Sequence, residues 1–432
     1  RGPGSSIYGS NAFAGVVNII TKRENELALS GGSTDSHNAS VQASKIIDDL
    51  ELSLFLKDYR DGGDELLAYD RTSDSFLPTR DHLDIHEAYG KIKKGGFTSH
   101  GRFTSRKAKG FYNGGGLSDD NFRDAESYYF NASYDYVISD NLTAVFGSHT
   151  GTRKNHSASQ SSPALRLLAD LEEREYGVSA ITKYDNKEGK RWLAGYEYRV
   201  SDVIQAQTQL TGAINTSFLV TAQVQRKIQG LFGQWQSSYN DKLDYILGIR
   251  LDDYSDTGSN ISPRLGLIYA FNKENTFKVL YGEAFRAPSF AETGTSLPTL
   301  NGNPDLDPEI SKTTEFIWVF TKDDILLTTS LYHTRVIDSI AAIQGLPGTY
   351  ENTSVNTVAG IESELLYDIG SDWNIRLSAF NNFDELVDHS SHSDSTLSAI
   401  VNYGRGAWSL NLLANYHSER EYELASGYKK LG

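Results

Sequence analysis

Cysteine is absent from the 432-residue chain, so it has no disulfide framework, cysteine-ligated zinc site or thiol nucleophile. Methionine is absent too, at position 1 included. No run approaches the roughly 18 apolar residues that a membrane-spanning helix needs. Basic residues are in the minority: 41 Lys and Arg stand against 56 Asp and Glu, for a formal charge of -15. That balance argues against a nucleic-acid binder, which normally presents a basic face. Proline is scarce at 9 residues, while 38 Gly, 25 Tyr and 19 Phe are present, a composition suited to long pleated strands with aromatic girdles. Mean hydropathy is -0.44, which alone reads as a soluble chain. Membrane-barrel strands escape that measure, because lipid-facing and lumen-facing residues alternate and average to mild polarity.

Period-2 segments of roughly ten residues recur along the chain, the length a tilted membrane strand requires. Clear examples are 50–59, 127–137, 142–148, 192–200, 231–239, 245–254, 264–271, 276–285, 314–320, 325–334, 361–369, 373–380 and 408–416. Short polar turns punctuate them at 47–49, 139–141, 186–189, 240–242, 272–275, 321–324, 370–372 and 404–406. Long connections are expected at about 60–83, 108–124, 151–173, 203–225, 286–310, 336–356 and 384–395. Short turns on one rim and long loops on the other are the organisation of a bacterial membrane barrel. The fold class predicted is all-β, a transmembrane antiparallel β-barrel of about nineteen strands that starts near Leu27.

Two groups of motifs sit on this rhythm. The chain opens with RGPGSSIYGSNAFAGVVNIITKR, residues 1–23. Gly2, Gly4 and Gly9 permit tight turns, and Pro3 fixes one φ angle. Downstream, GIRLDDY and SPRLGLIYAF lead to Phe285-Arg286-Ala287-Pro288, and Asn303-Pro304-Asp305-Leu306 follows fifteen residues later. Pro304 and Pro308 stiffen that loop, and Asn303 and Asp305 suit local turns. Pro263 reads as a strand start, and Arg264 as either a lumen or a wall charge. A fainter block runs from Tyr350-Glu351-Asn352 to Val358-Ala359-Gly360-Ile361-Glu362. Together these blocks resemble TonB-dependent outer-membrane receptors, in the family's order, over nearly the whole chain.

The resemblance implies several things. Residues 1–24 would be the C-terminal end of a plug domain, with Arg1, Gly2, Pro3, Gly4, Tyr8 and Gly9 carrying its motif. Residues 25–432 would be an incomplete barrel, twenty-two strands when intact, so the chain reads as an internal piece. The boxes at Phe285, Arg286, Ala287, Pro288 and at Asn303, Pro304, Asp305, Leu306 would shape an outer loop or touch cargo. Function would be TonB-dependent import of a scarce nutrient, a ferric siderophore above all. The protein would be a monomer with no intrinsic cofactor, no enzyme activity and no nucleic-acid partner. Its partners would be the inner-membrane TonB complex, outer-membrane lipid and a small-molecule iron complex.

Loop aromatics and cations offer a cargo surface: Tyr69, Phe76, Arg71, Arg80, Phe111, Tyr112, Arg123, Arg153, Phe218 and Tyr350, of which Tyr69, Arg71, Phe111, Tyr112, Arg123 and Tyr350 are the principal candidates. Haem is an alternative cargo, since the paired boxes resemble those of haem receptors. The interval 289–302 nevertheless holds no His, Tyr, Met or Cys to ligate iron. His82, His86, His149 and His156 are the remaining imidazoles for such a role. Cobalamin is another cargo in the family. The run Asp252-Asp253-Tyr254-Ser255-Asp256 reads as a calcium loop or a solvated turn. The rival of another class is a passive porin. Hydrolysis by Asp81, His82, Asp84 and His86 is disfavoured, because no nucleophile elbow or ligand cluster accompanies them.

Overall fold

A computed structural model describes Gly9 and residues 24–70, 73, 75–110, 117–118, 120–162, 164–186, 189–213, 215–219, 224–297, 300–345, 347–353, 355–383, 393–424 and 427–431. Among the described residues, twenty strands join in one sheet. One of them, Thr216–Leu219, pairs only along its neighbour's edge. The remaining nineteen, the number expected, form an antiparallel meander in chain order. They are β1 (Glu26–Gly32), β2 (Ser36–Ile47), β3 (Leu50–Asp61), β4 (Leu83–Lys94), β5 (Phe97–Lys109), β6 (Phe122–Ser139) and β7 (Leu142–Ser162). Then come β8 (Leu165–Asp185), β9 (Arg191–Gly212), β10 (Val224–Asn240), β11 (Leu243–Tyr254), β12 (Gly258–Ala270) and β13 (Asn275–Arg286). The last are β14 (Glu309–Lys322), β15 (Ile325–Ile337), β16 (Asn356–Ile369), β17 (Trp373–Asn382), β18 (Ser395–Arg405) and β19 (Trp408–His417).

The two faces of this sheet are inverted relative to a soluble sandwich. In β11, Leu247, Ile249 and Leu251 are exposed while Arg250, Asp252 and Tyr254 are buried. Register carries the pattern sideways. Tyr245, Leu267, Val279, Phe316, Leu331 and Ile361 form one row across six strands. An exposed apolar row costs free energy in water and none in hydrocarbon, so this face is the lipid face. Aromatic residues gather at the short-turn ends: Tyr184 with Trp192, Tyr239, Phe271 with Phe277, Trp318 with Phe320, Trp373 with Tyr403, and Trp408. Amphipathic rings at one level mark a membrane–water interface.

The expected long connections at 151–173 and 203–225 are a correction. Strands β7, β8 and β9 run on to 21, 21 and 22 residues, about twice the 9–11 that cross a bilayer. The outer halves are mostly polar and bury only scattered positions, Ala158, Val203, Ala206 and Thr208 among them, so they carry no continuous hydrophobic alternation. Opposite charges face each other across the β7–β8 ladder there: Arg153–Glu173, Lys154–Glu172 and His156–Asp170. Pro263 also differs from expectation, lying inside β12 rather than at its start. The β12–β13 ladder begins at Arg264, so the missing N–H of Pro263 falls where no partner waits on that side. Arg264 shares the face of buried Ser262, which places it on the inner wall.

Candidate functional site

One part of the inner wall is built around a buried cation, Arg250. Arg250 Nε donates to both oxygens of Asp252, at 2.9 and 2.8 Å, and Nη2 donates to Glu197 Oε2 at 3.0 Å. Its guanidinium lies over the Phe232 ring, 4.9 Å from the centroid. Glycines make the room. A Cβ on Gly230 would come within 2.2 Å of Arg250 Nη2, and one on Gly195 within 2.5 Å of Phe232 Cζ. Gly9, from the opening motif, is buried at φ +81° and sits against the same guanidinium. The remaining motif residues Arg1, Gly2, Pro3, Gly4 and Tyr8 lie outside the described residues.

This arrangement corrects the reading of residues 252–256 at Asp252. Asp252 is 1% exposed and belongs to Arg250. Asp253 accepts from Ser259, and Asp256 accepts from Arg226. Of the carboxylates in the run, only Asp252 departs from a solvated turn: Asp253, Ser255 and Asp256 stay exposed, the last two in a turn, and the carboxylates of Asp252, Asp253 and Asp256 are engaged by Arg250, Ser259 and Arg226.

A second constellation sits at the outer rim. Phe285 is buried against Tyr254 and Ile228, edge to face with Tyr254 at 5.6 Å. Arg226 donates Nε to both Asp256 oxygens and Nη2 to the Pro288 carbonyl at 2.8 Å. It also lies 4.7 Å from the Phe290 ring centroid. The helix α1 (Phe290–Gly294) follows, closed by a capping box between Ser289 and Glu292. Arg286 grips Glu292 with two nitrogens, at 2.9 and 3.1 Å, and reaches Glu309 with Nε. Burial alone would push the Glu292 carboxyl up. The Arg286 guanidinium and the Ser289 hydrogen bonds outweigh it and hold the group below its ordinary value.

The second box closes the same structure. The Asn303 amide N–H donates to Glu292 O, its side chain donates to Tyr350 O, and its Oδ1 accepts from Asp305 N. Leu306 is buried. Asn352 donates to the carbonyls of Asp307 and Asp338 and accepts from Asp307 N. A small sheet of Ser296–Leu297, Leu300–Asn301, Gly348–Asn352 and Ile340–Ile343 ties the two outer loops together. The side chains of Phe285, Arg286, Asn303 and Leu306 are thus engaged in building this cap.

Of the other loop candidates, Tyr69 lies in a hairpin, Glu65–Asp70 with Ser75–Arg80, edge to face with Phe76. Asp70 accepts from Leu117 N, joining this hairpin to the loop before β6. Arg123 donates to Asn155. Tyr350 belongs to the cap through its backbone. Arg71, Phe111 and Tyr112 lie outside the described residues. Each candidate histidine has a carboxylate neighbour: His82–Asp84, His86–Asp58, His149–Glu175 and His156–Asp170. Sequence reasoning gave no role to Arg226 or Glu197, and placed Arg250 and Asn352 within motif blocks without finding their partners. The available signal was parity, since Arg250 and Asp252 occupy the face opposite Leu247, Ile249 and Leu251.

A family model described as "TonB dependent receptor-like, beta-barrel" matches residues 55–430. A curated relative, the probable TonB-dependent siderophore receptor PirA of Acinetobacter baumannii, is 30% identical over 145 residues. That match spans 30% of this chain and 19% of the relative's length. The crystal structure of the siderophore receptor PirA from Acinetobacter baumannii superposes with a TM-score of 0.77 at 18% identity, covering 98% of this chain and 72% of that one. The ferric enterobactin receptor PfeA of Pseudomonas aeruginosa, solved with enterobactin, gives 0.77 at 15% identity, covering 98% and 73%. A copper transporter, OprC, gives 0.72 at 14% identity, covering 95% and 71%.

Proposed function

The chain belongs to the TonB-dependent receptor β-barrel family of the bacterial outer membrane, and from that premise we propose that it captures and imports a ferric siderophore. The observation that carries the reading is the family match over residues 55–430, on a wall whose apolar face is turned outward. The curated relative with a matched stretch is itself named a siderophore receptor. Copper transport by another protein of this fold shows that the scaffold alone does not choose the cargo.

Residues 1–24 belong to the end of a plug domain, a reading supported by Gly9 against Arg250. Outer loops bind the cargo, with Tyr69, Arg71, Phe111, Tyr112, Arg123 and Tyr350 as contacts. Aromatic faces and cations suit an anionic, ring-bearing iron complex. Binding alone moves nothing uphill, so TonB supplies the work that rearranges the plug. The cargo leaves chemically unchanged.

The test is iron-limited growth of a receptor-deficient bacterium expressing the full-length parent, with ferric siderophores, haem and cobalamin offered separately. Siderophore-supported growth that needs TonB is the expected outcome. Growth independent of TonB would mean a passive pore.

A further inference from the structure

The lipid face of β2–β6 carries a depression that the import function does not use. Its volume is about 820 Å³, and its walls include Leu52, Leu54, Ile92 and Phe130. Its floor is two glycines side by side. Register runs Ala43–Leu54–Gly90–Gly101–Phe130 along one outward row. The row toward the long-loop rim, Val41–Leu56–Ala88–Phe103–Tyr128, is apolar throughout. Beyond it, Asp58, His86 and Glu126 end the apolar belt. The depression therefore lies within the hydrocarbon layer.

Charge appears on the opposite side. Lys45 lines the depression one row nearer the short turns. Lys94 is exposed one row further, on the adjoining strand pair. Both point outward, on the parity of Leu54 and Ile92. Two ammonium groups at the belt's edge, below an apolar hollow, complement a molecule with an anionic head and an apolar tail. Short turns face the periplasm in bacterial barrels, so that molecule comes from the inner leaflet.

We propose that this depression is a binding site for one anionic phospholipid, its acyl chain laid over Gly90 and Gly101 and its phosphate held by Lys45 and Lys94. The proposal rests on the outer-membrane reading above. Apolar burial seats the chain, and the lysines select the headgroup.

The glycines allow a clean test. A Cβ on Gly90 meets nothing within 4 Å, and one on Gly101 meets only ordinary contacts. Gly90→Leu therefore fills the hollow without disturbing the wall. Full-length protein from the outer membrane is equilibrated in mixed micelles of phosphatidylglycerol and phosphatidylethanolamine, and native mass spectrometry counts the lipid retained. The wild type keeps one phosphatidylglycerol. Gly90→Leu loses it. Lys45→Gln with Lys94→Gln keeps a lipid but loses the headgroup preference, on the order of fivefold per lysine. A wild type that inserts as a barrel yet keeps both lipids equally, or none, overturns the inference and leaves the receptor reading standing. So does Gly90→Leu retaining phosphatidylglycerol like the wild type. A protein that never inserts overturns both.

Discussion

Arg250 holds two carboxylates on the inner wall, so its removal leaves Asp252 buried and uncompensated. Breaking a buried pair from one side costs about 3–5 kcal/mol. Arg250→Ala should lower unfolding stability in detergent by that order, and Asp252→Asn should cost less because Glu197 still answers the cation. Urea titrations of both variants check the ranking, and equal losses would contradict it. Gly230→Ala acts through the same residue. Its Cβ would displace the guanidinium, so it should reproduce part of the Arg250→Ala loss although no polar group is removed.

At the scale of elements, the cap over 287–308 depends on Glu292 being ionised. Its carboxyl is held below the ordinary value in the folded loop, so its contribution is complete above the unfolded carboxylate pKa. That contribution is lost as pH falls through the folded value. Hydrogen exchange in 287–308 should rise under acid while the wall strands stay protected. Arg286→Gln should raise exchange already at neutral pH and flatten the dependence. The tall hairpin offers a different prediction. Asn155 and Leu171 face each other across β7 and β8, so residues between them can be replaced by a two-residue turn without shifting register. Because this tip stands beyond the apolar belt, the shortened protein should insert and migrate as a folded barrel, with a Tm change within a few degrees. Failure to insert would show that the tip guides folding of the wall.

At the scale of the whole molecule, the opening motif meets the wall at Gly9. Its φ of +81° suits glycine, and its Cβ position faces Arg250. Gly9→Val should loosen that contact in the full-length protein and raise conductance in planar bilayers severalfold. Unchanged, closed recordings would count against the plug reading of residues 1–24.

Much of this molecule was legible before any coordinates. Period-2 runs with short polar turns determined an antiparallel wall of about nineteen strands, since a pleated strand between lipid and lumen must alternate. The absence of cysteine and of long apolar runs removed disulfide scaffolds and membrane-spanning helices. The motifs at 1–23, 285–288 and 303–306 pointed to the family. What only tertiary structure decided lies where local signal is silent. The outer halves of β7–β9 look like loops, because polar residues dominate them and the positions they bury, such as Ala158, Val203 and Ala206, follow no continuous alternation. Asp252 looks solvated, because its partners Arg250 and Glu197 meet it by parity and by pairing across neighbouring strands. The boxes read from sequence as either loop architecture or cargo contacts, because Arg226 and Asn352, which pin their loops, lie 62 residues before Pro288 and 45 after Asp307 in the chain. Alternation and turns are local properties that a sequence displays; which charge answers which across a sheet is a matter of register, and only the fold sets it.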